Sequence, residues 1–180
     1  MRFLFWNTYN NTDINPIICE IVEEQNINTI ILAEYKDSVD DLIQHLFQKG
    51  ILMHPYITLG CDRITMLGTN ENVFPSRQDT YYTMQIVEKD FLLCAVHLPS
   101  RLHADPSTQL MKSHSKTEFW NIFDQVMIRP QLRNRFVDTS LKIITETETT
   151  SLVDKNRHPS KKISDHLPIV FEVKENNHEL

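Results

Sequence analysis

The chain has 180 residues, 18 of them Lys or Arg and 24 Asp or Glu, for a formal charge of −6. A net-acidic chain without a long basic run lacks the footprint of duplex nucleic-acid binders, and residues 1–180 are expected to form one domain around one core. Glycine occurs only at Gly50, Gly60 and Gly68, where average usage of about 7% would give roughly a dozen. That excludes a Gly-x-Gly-x-x-Gly dinucleotide fingerprint, a Walker A loop and a nucleophile elbow, each of which needs glycines this chain lacks.

Arg2 to Asn7 reads as a first strand ending in a polar run. Asp13, taken as a helix N-cap, precedes Ile14, Ile17, Ile18, Ile21 and Val22, whose spacing puts five aliphatics on one helical face, with Pro16 tolerated in the first turn. Thr29 to Ala33 is a continuous apolar run, the pattern of a strand buried on both faces, and it ends at Glu34. Ser38 and Asp41 have the spacing of a capping box ahead of Val39, Leu42, Ile43, Leu46 and Phe47, and Gly50 stands where a helix C′ residue is favoured. Strand-like segments follow at Arg63 to Leu67, Thr80 to Val87 and Phe91 to Leu98, the last apolar until His97. Ser100 to Ser115 is polar and irregular. Phe123 to Ile128 reads as a strand, Pro130 as the start of one helical turn, and Leu141 to Thr145 and Leu167 to Val173 as two last strands. The order describes a mixed α/β domain with helices covering sheet.

Cys19, Cys61 and Cys94 are widely spaced and odd in number, which fits a reducing compartment and suggests neither a disulfide framework nor a zinc site. Met1 to Trp6 is too short for a signal sequence, and no run approaches the ~20 apolar residues of a membrane span, so a cytoplasmic location without membrane contact is expected. The basic stretch Arg157 to Lys162, like Arg63 and Arg101, is read as ordinary solvated surface.

Four polar positions fall at the ends of buried strands: Asn7, Glu34, His97 and the pair Asp165-His166. Strand ends are where α/β proteins collect their sites. Glu34 and Asp165 would make a minimal hard-oxygen site for Mg²⁺, which takes one or two carboxylates and keeps several waters. Two histidines and an amide beside such an ion are a kit for phosphoester hydrolysis.

The strings Phe5-Trp6-Asn7, Ile31-Leu32-Ala33-Glu34, Val96-His97-Leu98 and Ser164-Asp165-His166-Leu167-Pro168 resemble, in order, the signatures of the endonuclease/exonuclease/phosphatase superfamily. The resemblance runs from Met1 to about Val173, and the segment from Trp120 to Pro130 is similar to an uncharacterised bacterial subgroup. It implies a deoxyribonuclease-I-like fold, a two-sheet α/β sandwich with outer helices and a metal-dependent site at one end of the sheets. It further implies Glu34 as the main Mg²⁺ (or Mn²⁺) ligand with Asp165 as the second carboxylate. By the same resemblance Asn7 helps arrange metal or phosphate, His166 faces the scissile phosphate, His97 contacts phosphate, and Asp124 is a strand aspartate orienting His166. The substrate is then a phosphodiester, with DNA, RNA, nucleotides, inositol phosphates and phospholipid headgroups all among the candidates.

The family carries a Gly-Asp-x-Asn motif between the strands of His97 and Asp124, and this chain has none: Ile51, Cys61 and Thr69 follow its three glycines. Asp13-Ile14-Asn15 and Asp154-Lys155-Asn156 lie outside that interval and read as a helix cap and a turn, while Asp105 and Asn121 inside it are too far apart. The fold is therefore expected to be shortened in the middle, with an open sheet that a second copy of the chain completes. Two functions follow: a Mg²⁺- or Mn²⁺-dependent phosphodiesterase or nuclease, impaired by the lost motif, or a degenerate non-catalytic member that binds metal, phosphate or a protein partner. A nucleic-acid-binding protein without chemistry fits the net charge poorly.

Overall fold

The computed structural model describes residues 1–71, 73–87, 89–98 and 124–175. The readings placed on Ser100 to Ser115, Arg101, Asp105, Asn121 and Phe123 lie outside the described residues.

The first half alternates strand and helix. Strand β1 (Arg2–Asn7) leads through helix α1 (Asn15–Gln25) to β2 (Thr29–Ala33), which pairs parallel to β1 with Asn7 opposite Ala33. Helix α2 (Val39–Gln48) follows, then the short β3 (His54–Pro55) and β4 (Ile64–Gly68), which pairs antiparallel to both β3 and β2. Three antiparallel strands come next: β5 (Val73–Asp79), β6 (Tyr82–Val87) and β7 (Phe91–Val96). The chain closes with β8 (Lys142–Ile143) and β9 (Ile169–Glu172), the latter antiparallel to β1. Among the described residues the strands form a six-stranded sheet, in order β3-β4-β2-β1-β9-β8, and a three-stranded sheet, β5-β6-β7.

Alternating side chains of the larger sheet supply two cores. Leu4, Trp6, Ile30, Leu32, Leu67 and Val170 face the helices and pack with Ile14, Ile18, Ile21, Leu42 and Leu46. Phe3, Ile31, Met66, Ile169 and Phe171 face the other way and pack with Phe91, Leu93 and Ala95 of β7. The result is a layer of helices, a six-stranded sheet and a three-stranded sheet, a mixed α/β architecture with two sheets. No helix among the described residues is long and apolar enough to cross a membrane.

Local chemistry accounts for the boundaries. Ser38 Oγ accepts from Asp41 N at 3.1 Å at the start of α2, and Gly50, with φ +79°, ends it in a turn whose N–H groups bond Phe47 O and Leu46 O. Helix α1 is capped differently from the expectation: Ile14 is its N-cap, and Oδ2 of Asp37, not Asp13, takes the Ile14 and Asn15 N–H groups at 2.9 and 3.0 Å. A carboxylate brought in from the far end of β2 does the work of a local cap, which spacing alone does not reveal. Phe47, assigned to the apolar face of α2, is 65% exposed, because the helix buries only Leu42 and Leu46 fully.

The expected strand at Phe123 to Ile128 is not formed by residues 124–128. The alternation behind it is real, with Asp124, Val126 and Ile128 half-buried and Gln125 and Met127 exposed, but no described strand pairs with it. Leu141 to Thr145 shrinks to two paired residues, and β5 was not anticipated. Strand β5 carries Pro75, Ser76, Arg77 and Gln78 and shifts register between Pro75 and Arg77, so it lacks the alternation that marks a buried strand.

Candidate active site

Topology delivers the site residues to one end of the sheets. Asn7 ends β1 and Glu34 follows β2, so the parallel pair presents both at its carboxyl edge. Strand β9 runs antiparallel to β1 with Ile169 opposite Phe5, which sets the Ser164-Asp165-His166 turn beside the same edge. His97 directly follows β7 in the smaller sheet, its N–H bonded to Tyr81 O at 2.8 Å.

All six expected residues are described, and contacts join them in two groups. His97 Nε2 lies 3.2 Å from Glu34 Oε1 and 3.5 Å from Asn7 Nδ2. His166 Nδ1 lies 2.6 Å from Asp124 Oδ2, and its Nε2 is 3.7 Å from Asp165 Oδ1. The groups act on each other: the charge of Glu34 is felt at His166, and that of Asp124 at His97. Asp124 thus meets His166 as expected, but from an irregular segment instead of a strand.

The pKa values of the two imidazoles are shifted in opposite directions. The hydrogen bond to Asp124 raises the His166 pKa above its ordinary value against the opposing cost of burial, with the charges of Asp124, Asp165 and Glu34 adding to the rise. Burial lowers the His97 pKa more than the Glu34 charge raises it, and Arg63 and His166 push it down further. His97 Nδ1 is buried and has no hydrogen-bond partner among the described residues. Nε2 either donates to Glu34 Oε1 or accepts from Asn7 Nδ2, and the tautomer decides between the two.

Residues that the sequence did not single out hold this arrangement. Ser164, 2% exposed, donates Oγ–H to Asn7 O at 2.7 Å and accepts from His166 N at 3.0 Å, tying the end of β1 to the histidine turn. Trp6, fully buried, donates Nε1–H to His166 O at 3.0 Å. Asn10 Nδ2 donates to Glu34 Oε2 at 3.2 Å, and Asn10 N to Glu34 O at 2.8 Å. Tyr9 N donates to Asn7 Oδ1 at 3.0 Å. Ser164 and Trp6 stood inside the quoted strings; Asn10 and Tyr9 had no signal beyond a polar run.

Backbone strain gathers here too. Among the described residues six non-glycine residues have positive φ, and three of them, Tyr9 (+54°), Asn10 (+55°) and Glu34 (+49°), belong to this cluster. Asparagine tolerates that region, whereas tyrosine and glutamate do so at a cost of order 1–3 kcal/mol, which persists where surrounding structure overrules it, as at functional sites.

The donor set for a cation is hard oxygen: Glu34 and Asp165 carboxylates with the Asn7 amide nearby, and no thiol. No group of three or more His, Cys, Asp or Glu among the described residues is arranged to hold an ion. Hard oxygen is the donor chemistry that Mg²⁺ takes, with one or two carboxylates and most of its waters kept. No family model, curated protein or solved structure shows significant similarity to this chain, so the chemistry of the cluster rests on its own geometry.

Proposed function

We propose that the chain is a divalent-metal-dependent phosphodiester hydrolase of nuclease or phosphodiesterase type, built on a shortened deoxyribonuclease-I-like sandwich. The observation that carries this reading is the convergence of Asn7, Glu34, His97, Asp124, Asp165 and His166, spread over 160 positions of sequence, at one edge of the sheets. The layered architecture and the order of the four motifs support it.

The two histidines have separate tasks. His166, its Nδ1–H held by Asp124 and its pKa raised, is the group that donates from Nε2 to an oxygen of the phosphodiester or to the leaving alkoxide. His97, its pKa lowered, lies against Glu34 and positions the carboxylate. Asn7 offers an amide N–H to a non-bridging oxygen. Glu34 and Asp165 are the residues that would hold Mg²⁺ or Mn²⁺, and a bound ion would stabilise negative charge on the phosphoryl oxygens. The chain lacks the family's Gly-Asp-x-Asn aspartate for the attacking water, so turnover well below that of an intact site is expected, by the 10²–10⁴ or so of general base catalysis.

That missing motif favours the second reading, a non-catalytic member that keeps metal or phosphate binding. Hydrolysis of thymidine 5′-(p-nitrophenyl) phosphate with Mg²⁺ or Mn²⁺ separates the two. Turnover by the wild type that EDTA abolishes, and that Glu34→Ala and His166→Ala each lack, is the expected result. Equal inertness of wild type and variants at high enzyme concentration overturns catalysis. Glu34-dependent Mg²⁺ binding by calorimetry, without turnover, then establishes the second reading.

A further inference from the structure

Arg63 stands immediately before β4, and its carbonyl accepts the Glu34 N–H at 3.4 Å. Its guanidinium carbon lies 5.1 Å from the centroid of the Tyr81 ring. Tyr81 occupies the turn before β6, is 39% exposed, and accepts the His97 N–H on its carbonyl. The cation and the ring beneath it are thus each bonded through the backbone to one member of the Glu34–His97 pair.

Among the described residues Arg63 forms no ion pair, although the charges of Glu34, Asp124 and Asp165 all act in the adjoining site. Its charge reaches His97. A guanidinium resting on an aromatic face is held in one plane with its N–H edge free, and that planar fork matches two oxygens of a phosphate.

We propose that Arg63, held over Tyr81, binds a second phosphoryl group of the substrate, beside the phosphodiester presented to His166. The inference rests on the phosphodiester reading and narrows it: the favoured substrates carry a neighbouring phosphate. That phosphate comes either from the next link of an oligonucleotide or from a phosphorylated polyol, and the chemistry recognised is the same. One arginine suits one extra phosphate, not a tracked duplex backbone, in keeping with the net charge of −6.

The test is calorimetric titration of the full chain, with Mg²⁺ present, using thymidine 3′,5′-bisphosphate against thymidine 5′-phosphate, and inositol 1,4-bisphosphate against inositol 1-phosphate. None of these is a diester, so binding is read without turnover. The wild type is expected to favour the bisphosphate of one pair by about tenfold or more, as a charge-assisted contact gives, and the pair that shows it identifies the source. Arg63→Gln brings the ratio to within about twofold of unity with monophosphate binding unchanged; Arg63→Lys and Tyr81→Phe keep part of it. A wild-type ratio near unity in both pairs, or a ratio that survives in Arg63→Gln, overturns the proposal. Thymidine 5′-(p-nitrophenyl) phosphate has no second phosphate, so its hydrolysis reports on catalysis alone. An inert chain with an Arg63-dependent ratio breaks the hydrolase reading and keeps the anchor; an active chain without the ratio does the reverse.

Discussion

Two histidine–carboxylate pairs meet in one site, and their imidazole pKa values shift in opposite directions for a reason that burial alone does not give. The side chains of His166 and His97 are 21% and 15% exposed, close enough that desolvation opposes the charged form of both. In Asp124–His166 a 2.6 Å contact overcomes that cost and the imidazole pKa rises. In Glu34–His97 the contact is 3.2 Å, the carboxylate is shared with Asn10, and Arg63 adds a repelling charge, so the pKa falls. A carboxylate beside a histidine therefore does not by itself make a cation. The length of the bond, its exclusivity and the next charge out decide. A site that must both donate a proton and hold a metal-binding carboxylate without neutralising it gains from having one pair of each kind.

The largest break in this contrast comes from Asp124→Asn. The amide keeps the shape of Asp124 and loses the charged hydrogen-bond acceptor that raises the His166 pKa and orients the ring. The expected outcome is a fall in kcat of about 10²–10⁴-fold, with the His166 titration moved down in an NMR pH series and that of His97 almost still. A fall in the metal affinity in place of kcat would instead move Asp124 into the cation site.

A smaller break comes from Trp6→Phe. The ring still fills most of its place between Leu4, the helices and the end of β9, but the indole N–H that satisfies His166 O is gone. Leaving that carbonyl without its donor is expected to cost about 1–3 kcal/mol in urea unfolding. The histidine turn loosens, so the His166 ring signals shift and broaden while those of His97 keep their position. Equal disturbance of both histidines would mean that Trp6 supports the whole edge and not the one turn.

The contrast also shows what sequence makes legible. Residues of β1, β2, α2 and the Ser-Asp-His turn announce themselves because each is a contiguous pattern: an apolar run ending in one polar residue, or a cap three residues ahead of a stripe. Asn7, Glu34, His97, Asp165 and His166 fall at the ends of apolar runs, while Asp124 and its pairing with His166 follow only from the resemblance. The pairing of His97 with Glu34 is not legible, since it joins the end of the smaller sheet to the end of the larger one. Asn10, Ser164 and Trp6 were beyond reach for the same reason: their partners are 24, 157 and 160 positions away. Nor does the sequence mark where the backbone is strained: Tyr9, Asn10 and Glu34 take the left-handed region that glycine ordinarily fills, and they do so where the site is.

The finest test of the comparison is the His97 titration in Arg63→Gln. Burial is the first cause of its low pKa and is unchanged by the substitution, so His97 is expected to rise toward, but remain below, the ordinary histidine value near 6.5. The sign carries into stability. A histidine whose folded pKa is depressed binds fewer protons in the fold than in the unfolded chain, so between its folded value and the ordinary value stability increases with pH. His166, whose folded pKa is raised, binds more protons in the fold, and between the ordinary value and its folded value stability decreases as pH rises. Arg63→Gln narrows the first window and leaves the second in place, so urea midpoints followed from about pH 5 to 8 should flatten on the acid side only. If the slope changed on the alkaline side instead, Arg63 would be acting on His166, and the two pairs would be one electrostatic unit with Arg63 between them.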